Sequence, residues 1–400
     1  MSFPYSSLPD WSKIKADIIF IPAIGADPRL TWARQTGTER TERLDYEIFD
    51  HLGGEARVHL YDHLIEKERK LQIPRQTSEA TSEALSDDQH DALIAFRETG
   101  RRLDDFGVED WANRLYEFLF SFQQISARPV LSDRSYQTNR PIIFICHSTG
   151  GNVLKHALTK RSEGVPNPIA LNTIGITFFG VPHHGSSVLS NDEYVQTVQA
   201  HLGLKWKMSG RLRQDFRLRD ENQELERLNH RFAVDIVGVK IFNYVEMADT
   251  NLRVLTDENS GESTTIIRLC VVDSRSGKLG TPQVPMEDED FMQLDVTHTD
   301  LPRFTDQQDQ YDSFVSEIGK LVREFKESDR VEYRLLQKAI NTEVKVHVHQ
   351  FYEDKGSIKI LMTQPTLNRF LEVGPSRAIM DEIEGRDKNI RSPRYVFPSK

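Results

Sequence analysis

Ser148 stands at the apex of the stretch 141–154, PIIFICHSTGGNVL, in which an apolar strand runs into a turn of small residues and then a helix. That is the sequence form of a nucleophile elbow, a tight strand-to-helix turn that holds a serine Oγ out over the end of a sheet. Cys146 takes the place of the first glycine of the usual pattern and is small enough for the turn, while Gly150 supplies the second. The Thr149 amide, at the start of the following helix, is then aimed at whatever the serine attacks. An ordinary turn could also carry a serine before two glycines. The wholly apolar strand before it and the helical face of Val153, Leu154, Ala157 and Leu158 after it favour the elbow.

A serine hydroxyl is a poor nucleophile near neutral pH and needs a general base within hydrogen-bond reach, itself oriented by an acid. In the parallel-sheet architecture that carries such elbows, these groups follow in the chain order serine, acid, histidine. His298 fits as the base, because it follows the predicted strand 291–296 and precedes the last helix of its domain. Among the chain's thirteen histidines, His147 is expected to point away from the attack site, His156 lies within a helix, and His183 and His184 come too early. His347 and His349, two apart on a predicted strand, have no third ligand nearby in sequence and read as an exposed face, so no metal is expected. Glu246, at the end of the predicted strand over 240–245, is the leading acid. Asp273 is the alternative, and either could be a surface carboxylate or helix cap. A second oxyanion donor is expected from the turn 22–28, PAIGADP, with the Ile24 amide working beside that of Thr149.

The elements that must position these groups alternate. Residues 16–22 and 56–63 read as strands with a polar loop and helix between them, and 109–124 carries a helical apolar stripe of Trp111, Leu115, Phe118, Leu119 and Phe122. The elbow strand and helix follow, then strands at 174–179, 237–245, 265–272 and 291–296, and a helix over 309–326. This order predicts an α/β fold, a mainly parallel sheet with helices on both faces and its chemistry at the carboxyl ends of the strands. One domain is expected over 1–327, with a polar insertion at 65–107 and a helical cap at 190–234. After it, 328–400 reads as a small α+β extension or linker with a hairpin pattern at 343–362.

Composition narrows the class. With 400 residues, 38% of them hydrophobic and 28% charged, the chain is globular in type. A formal net charge of −10 argues against a nucleic-acid surface. No apolar run reaches the roughly 18 residues of a membrane span, and the start MSFPYSS lacks a secretory pattern. The two cysteines, Cys146 and Cys270, fall in predicted buried strands and do not form a disulfide framework. A cytoplasmic setting is the expectation.

Four blocks resemble the serine-esterase branch of the α/β hydrolases, the group of serine-active-site-containing proteins similar to GPI inositol-deacylases and lipases. They are 18–32 (IIFIPAIGADPRLTW), the elbow, 176–186 (ITFFGVPHHGS), and a discontinuous set running from Glu246 through Asp273 to His298. The resemblance covers residues 16 to about 326. It implies Ser148 as nucleophile and His298 as base and favours Glu246 as acid. It also implies a lipid-like ester substrate; no cofactor is expected, and peripheral contact with membranes is left open. Similar fungal domains stand at the front of larger signalling proteins, which makes 328–400 a candidate junction to a regulatory protein or domain, although no G-x-x-x-x-G-K-[ST] loop occurs in the chain. The chain departs from the family at Pro22-Ala23-Ile24-Gly25, where His-Gly-x-Gly is usual. The expected activity is therefore hydrolysis of a carboxylic ester through an acyl-enzyme. The alternatives are a weakly active or inactive hydrolase-fold binding or signalling module, and a lipid acyltransferase.

Overall fold

The computed structural model describes residues 14–36, 40–63, 105–126, 140–160, 167–191, 209–218, 222–236, 239–255, 264–280 and 289–325. Chain contacts divide the protein at Glu324/Phe325, and the elements below all belong to the first unit, Met1–Glu324. The hairpin pattern at 343–362, His347, His349, the extension 328–400 and nearly all of the polar insertion lie outside the described residues.

The core of the fold is a six-stranded sheet in the order β10-β7-β6-β5-β1-β4. Its strands are β1 (Ala16–Ile21), β4 (Ala56–Leu60), β5 (Ile142–His147), β6 (Thr173–Phe179), β7 (Lys240–Glu246) and β10 (Glu289–Leu294). Every pairing in it is parallel. β1 and β5 are buried along their whole length, which explains their apolar runs 18–21 and 142–146: both faces are covered and no position needs to meet water. Asp17 is the exception in β1, and the Arg57 guanidinium on β4 grips both of its carboxylate oxygens. The edge strand β10 alternates between exposed and half-buried positions instead.

The chain runs from β1 outward to β4, then returns to the other side of β1 with β5 and continues to β6, β7 and β10. The strand order therefore reverses between β1 and β5, and a crevice opens where their following loops diverge. Those loops are the 22–27 turn and the elbow. On one face of the sheet, α2 (Leu44–His51) and α9 (Gln308–Glu324) pack with Phe179, Tyr244 and Phe304 in a cluster of aromatic rings. Phe314, Ile318 and Val322 of α9 line that face.

On the other face lie α3 (Val108–Ser126), α4 (Thr149–Leu158) and α7 (Gln223–Asp235). Of the segment 190–234, read above as a helical cap, α6 (Gly210–Asp215) and α7 are described. α7 packs on α4, and its Phe232 meets Phe178 of β6 edge to face, so it fills the place of the crossover helix between β6 and β7.

Two antiparallel pairs stand apart from the main sheet: β2 (Ala33–Thr36) with β3 (Arg40–Arg43), and β8 (Thr250–Leu255) with β9 (Thr264–Leu269). The second pair corrects the reading of 265–272 as one of the sheet strands: β9 ends at Leu269 and, among the described residues, pairs with β8 alone. Its Ile266 is largely exposed, because a two-stranded ribbon has a face to spare for solvent. Cys270 is consequently half-buried beyond the strand end, whereas Cys146 is fully buried in β5, and both are free thiols.

Candidate active site

The elbow is built by close backbone approach. Ser148 sits at φ 52°, ψ −132°, a left-handed conformation rare for a residue with a side chain, and its amide donates to Phe179 O at 2.8 Å. A Cβ on Gly150 would lie 2.2 Å from the Pro22 carbonyl oxygen, so only glycine lets α4 start against the end of β1. A Cβ on Gly151 would lie 2.4 Å from Val181. The small residues after the serine are thus required by two separate contacts.

Three predicted residues meet at the carboxyl ends of β5, β7 and β10. His298 Nε2 is 3.0 Å from Ser148 Oγ, and His298 Nδ1 is 3.1 Å from Glu246 Oε1. All three side chains are closed to solvent. A carboxylate can only accept, so Nδ1 carries the ring proton and Nε2 presents a lone pair to the serine hydroxyl, the tautomer a general base requires. Glu246 Oε1 also accepts from the Val272 amide at 2.6 Å, which fixes the carboxylate from the far side. Asp273 is elsewhere: exposed, it caps α8 (Ser274–Gly277) by accepting from the amides of Arg275 and Ser276.

The 22–27 turn comes to the elbow as the sequence expects, with one difference in its bonding. The Ile24 amide donates to Thr149 Oγ1 at 2.9 Å, so in this conformation it is satisfied inside the protein. His63 supports the turn from below. Its Nε2 donates to Pro22 O at 3.1 Å, and full burial lowers its pKa to about 4, which keeps the ring neutral.

Several contributors escaped the sequence reading. Gly180, at φ 54°, leaves room for the imidazole: a Cβ there would come within 2.8 Å of His298 Cε1 and Nδ1. His147 corrects its expected orientation. Its ring lies 5.0 Å from that of His298, and its Nε2 donates to the His298 carbonyl at 3.1 Å. The only sequence signal for Gly180 is its place at the end of β6, within the 176–186 block.

His183 is drawn into a buried polar chain instead of the site. Lys155 donates to His183 Nδ1 at 3.0 Å and to Asn229 Oδ1 at 2.6 Å, while His183 Nε2 donates to Asn243 Oδ1 at 3.2 Å. Burial pushes the lysine well below its ordinary pKa. A cavity of about 370 Å³ lined by Asn113, Asn152, His156, Lys160 and Arg211, among others, includes none of Ser148, Glu246 and His298. Among the described residues no cluster of His, Cys, Asp and Glu could hold a metal ion, and no helix is long and apolar enough to cross a membrane.

A parallel sheet whose strand order reverses beside the turn at Ser148, with helices on both faces and Glu246 and His298 brought in by later strands, defines an α/β-hydrolase fold. No family model matches the chain. Protein SERAC1 of Bos taurus is 45% identical over 49 residues, and that of Mus musculus 47% over the same length. The matched stretch is 12% of this chain and only 8% of those proteins. Among solved structures, phospholipase PlaB from Legionella pneumophila aligns over 87% of this chain and 67% of its own, with 12% identity and a TM-score of 0.43. Lipase BlEst2 of Bacillus licheniformis aligns over 78% and 96%, with 12% identity and a TM-score of 0.42. The RedJ thioesterase of Streptomyces coelicolor aligns over 80% and 91%, with 15% identity and a TM-score of 0.35.

Proposed function

We propose that the chain is a serine hydrolase that cleaves a carboxylic ester through an acyl-enzyme on Ser148. The observation that carries this reading is the buried line from Ser148 Oγ through His298 to Glu246, with links of 3.0 and 3.1 Å. His298 Nε2 takes the hydroxyl proton as Oγ attacks the carbonyl carbon, and Glu246 stabilises the imidazolium that results. The Thr149 amide, at the start of α4, meets the developing oxyanion. The Ile24 amide joins it once the Thr149 hydroxyl turns away. His298 returns the proton to the departing alcohol, and water, activated by the same base, releases the acid. The lipid-like character of the acyl group rests on the sequence resemblance.

A purified-protein experiment tests this directly: labelling with a fluorophosphonate probe beside Ser148→Ala and His298→Ala. Labelling is expected in the wild type and lost in both variants, with ester turnover lowered by about a thousand- to a million-fold in Ser148→Ala. A folded wild-type protein that takes no label, or a Ser148→Ala protein that still does, overturns the reading. One pair of observations favours a second reading, a hydrolase-fold module with little turnover: Ser148 is fully buried and the Ile24 amide is already bonded to Thr149. Full biological effect of the Ser148→Ala protein would support that reading.

A further inference from the structure

We propose that His147 is a positioning residue that holds the main chain of the base in register with the nucleophile, an inference that rests on the reading of Ser148 and His298 given above. His147 is the last residue of β5 and precedes the serine directly, so whatever it grips is referred to the nucleophile's own strand. What it grips is the carbonyl of His298, at 3.1 Å from Nε2. On the other side of the same residue, the His298 amide faces Thr250 Oγ1 on β8 at 3.4 Å. The imidazole of His298 is thus fixed at its ring by Ser148 and Glu246, and at its backbone by His147 and, more loosely, Thr250.

The protonation of His147 follows from its partner. A carbonyl oxygen only accepts, so Nε2 carries the proton and Nδ1 is bare. Nδ1 is buried and has no hydrogen-bond partner among the described residues. Burial, followed by the nearby charge of His298, holds the ring neutral by lowering its pKa well below the ordinary histidine value. Neutrality matters because the two rings are 5.0 Å apart and His298 must become positive during attack. A cation at position 147 would oppose that step. Trp32 also packs edge-on against the His147 ring, at 6.3 Å. A side chain used only for packing would have no need to spend a buried ring nitrogen on this one carbonyl.

His147→Phe keeps the ring and loses the donor, while His147→Gln restores an N–H close to the place of Nε2. The maximal rate of fluorophosphonate labelling is expected to fall about 10- to 100-fold in His147→Phe, with the half-saturating probe concentration unchanged, since displacement of a base by a fraction of an ångström to 1 Å costs rates of that order. His147→Gln is expected to recover most of the loss. In parallel, the ¹⁵N signals of the His298 ring should move in His147→Phe and return toward wild type in His147→Gln, with thermal unfolding confirming that both variants fold. A His147→Phe protein with wild-type labelling and unshifted His298 signals overturns the proposal, as does a His147→Gln protein as slow as His147→Phe. If the wild type takes no label, the hydrolase reading fails by itself, and unmoved His298 signals in His147→Phe would then overturn the positioning role independently.

Discussion

Glu246 and Asp273 show where residue-level reading ends. Both are carboxylates near the end of a predicted strand, and sequence leaves them as alternatives. The distinction is made by contacts between distant segments: Glu246 is fully buried against His298 and the Val272 amide, whereas Asp273 is exposed on the cap of α8. Glu246→Gln is expected to lower labelling of Ser148 by about a hundred- to ten-thousand-fold, because an amide can present an N–H where the His298 tautomer needs an acceptor. Asp273→Ala is expected to leave labelling intact and cost about 1 kcal/mol of stability, the usual loss for an N-cap. Comparing labelling with urea unfolding in the two variants checks both statements. Ser148 and His298 were legible because motif and chain order constrain them. The direction of the His147 ring was not, since its partner is the His298 carbonyl, 151 residues away in the chain.

Elements were legible where a pattern had a single physical cause. The apolar runs 18–21 and 142–146 arise from burial on both faces, and the apolar stripe of α3, with Trp111, Leu115 and Leu119 buried, from burial on one. β8 and β9 were harder. The alternation of TNLRVL and TTIIRL suits a two-stranded ribbon as well as a sheet strand, and sequence could not say which partner each would find. The turn after β6 carries a comparable hidden requirement. Gly180 combines φ 54° with the His298 ring directly over its Cα, so Gly180→Ala would strain the backbone and push the base at the same time. That variant is expected to fold with a lowered melting temperature and to lose at least about 10-fold in labelling rate, a loss larger than its stability change would cause. Wild-type labelling in a folded Gly180→Ala protein would show that the His298 loop adjusts freely.

At the scale of the whole molecule, the interior holds several basic groups whose pKa burial lowers. His63, with its pKa lowered to about 4 by burial, and the similarly depressed His147, His183 and Lys155 all bind protons more readily when the chain unfolds. Stability therefore falls as acid is added. For His63 the contribution is complete above its unfolded value of 6.5 and is lost as pH drops toward 4, about 3 kcal/mol in all. His63→Gln, which keeps a donor for Pro22 and cannot titrate there, should flatten the decline of unfolding free energy between those pH values in urea titrations. An unchanged slope would mean that His63 does not remain neutral in the folded protein. The contact between Ser148 and His298 spans 150 residues of chain, and this has a consequence in time. A ribosome takes roughly 8 to 30 s to cover that distance. During that interval the elbow strand has been made while His298 has not, so under the proposed mechanism a newborn chain carries an inert serine until the residues after β10 are added.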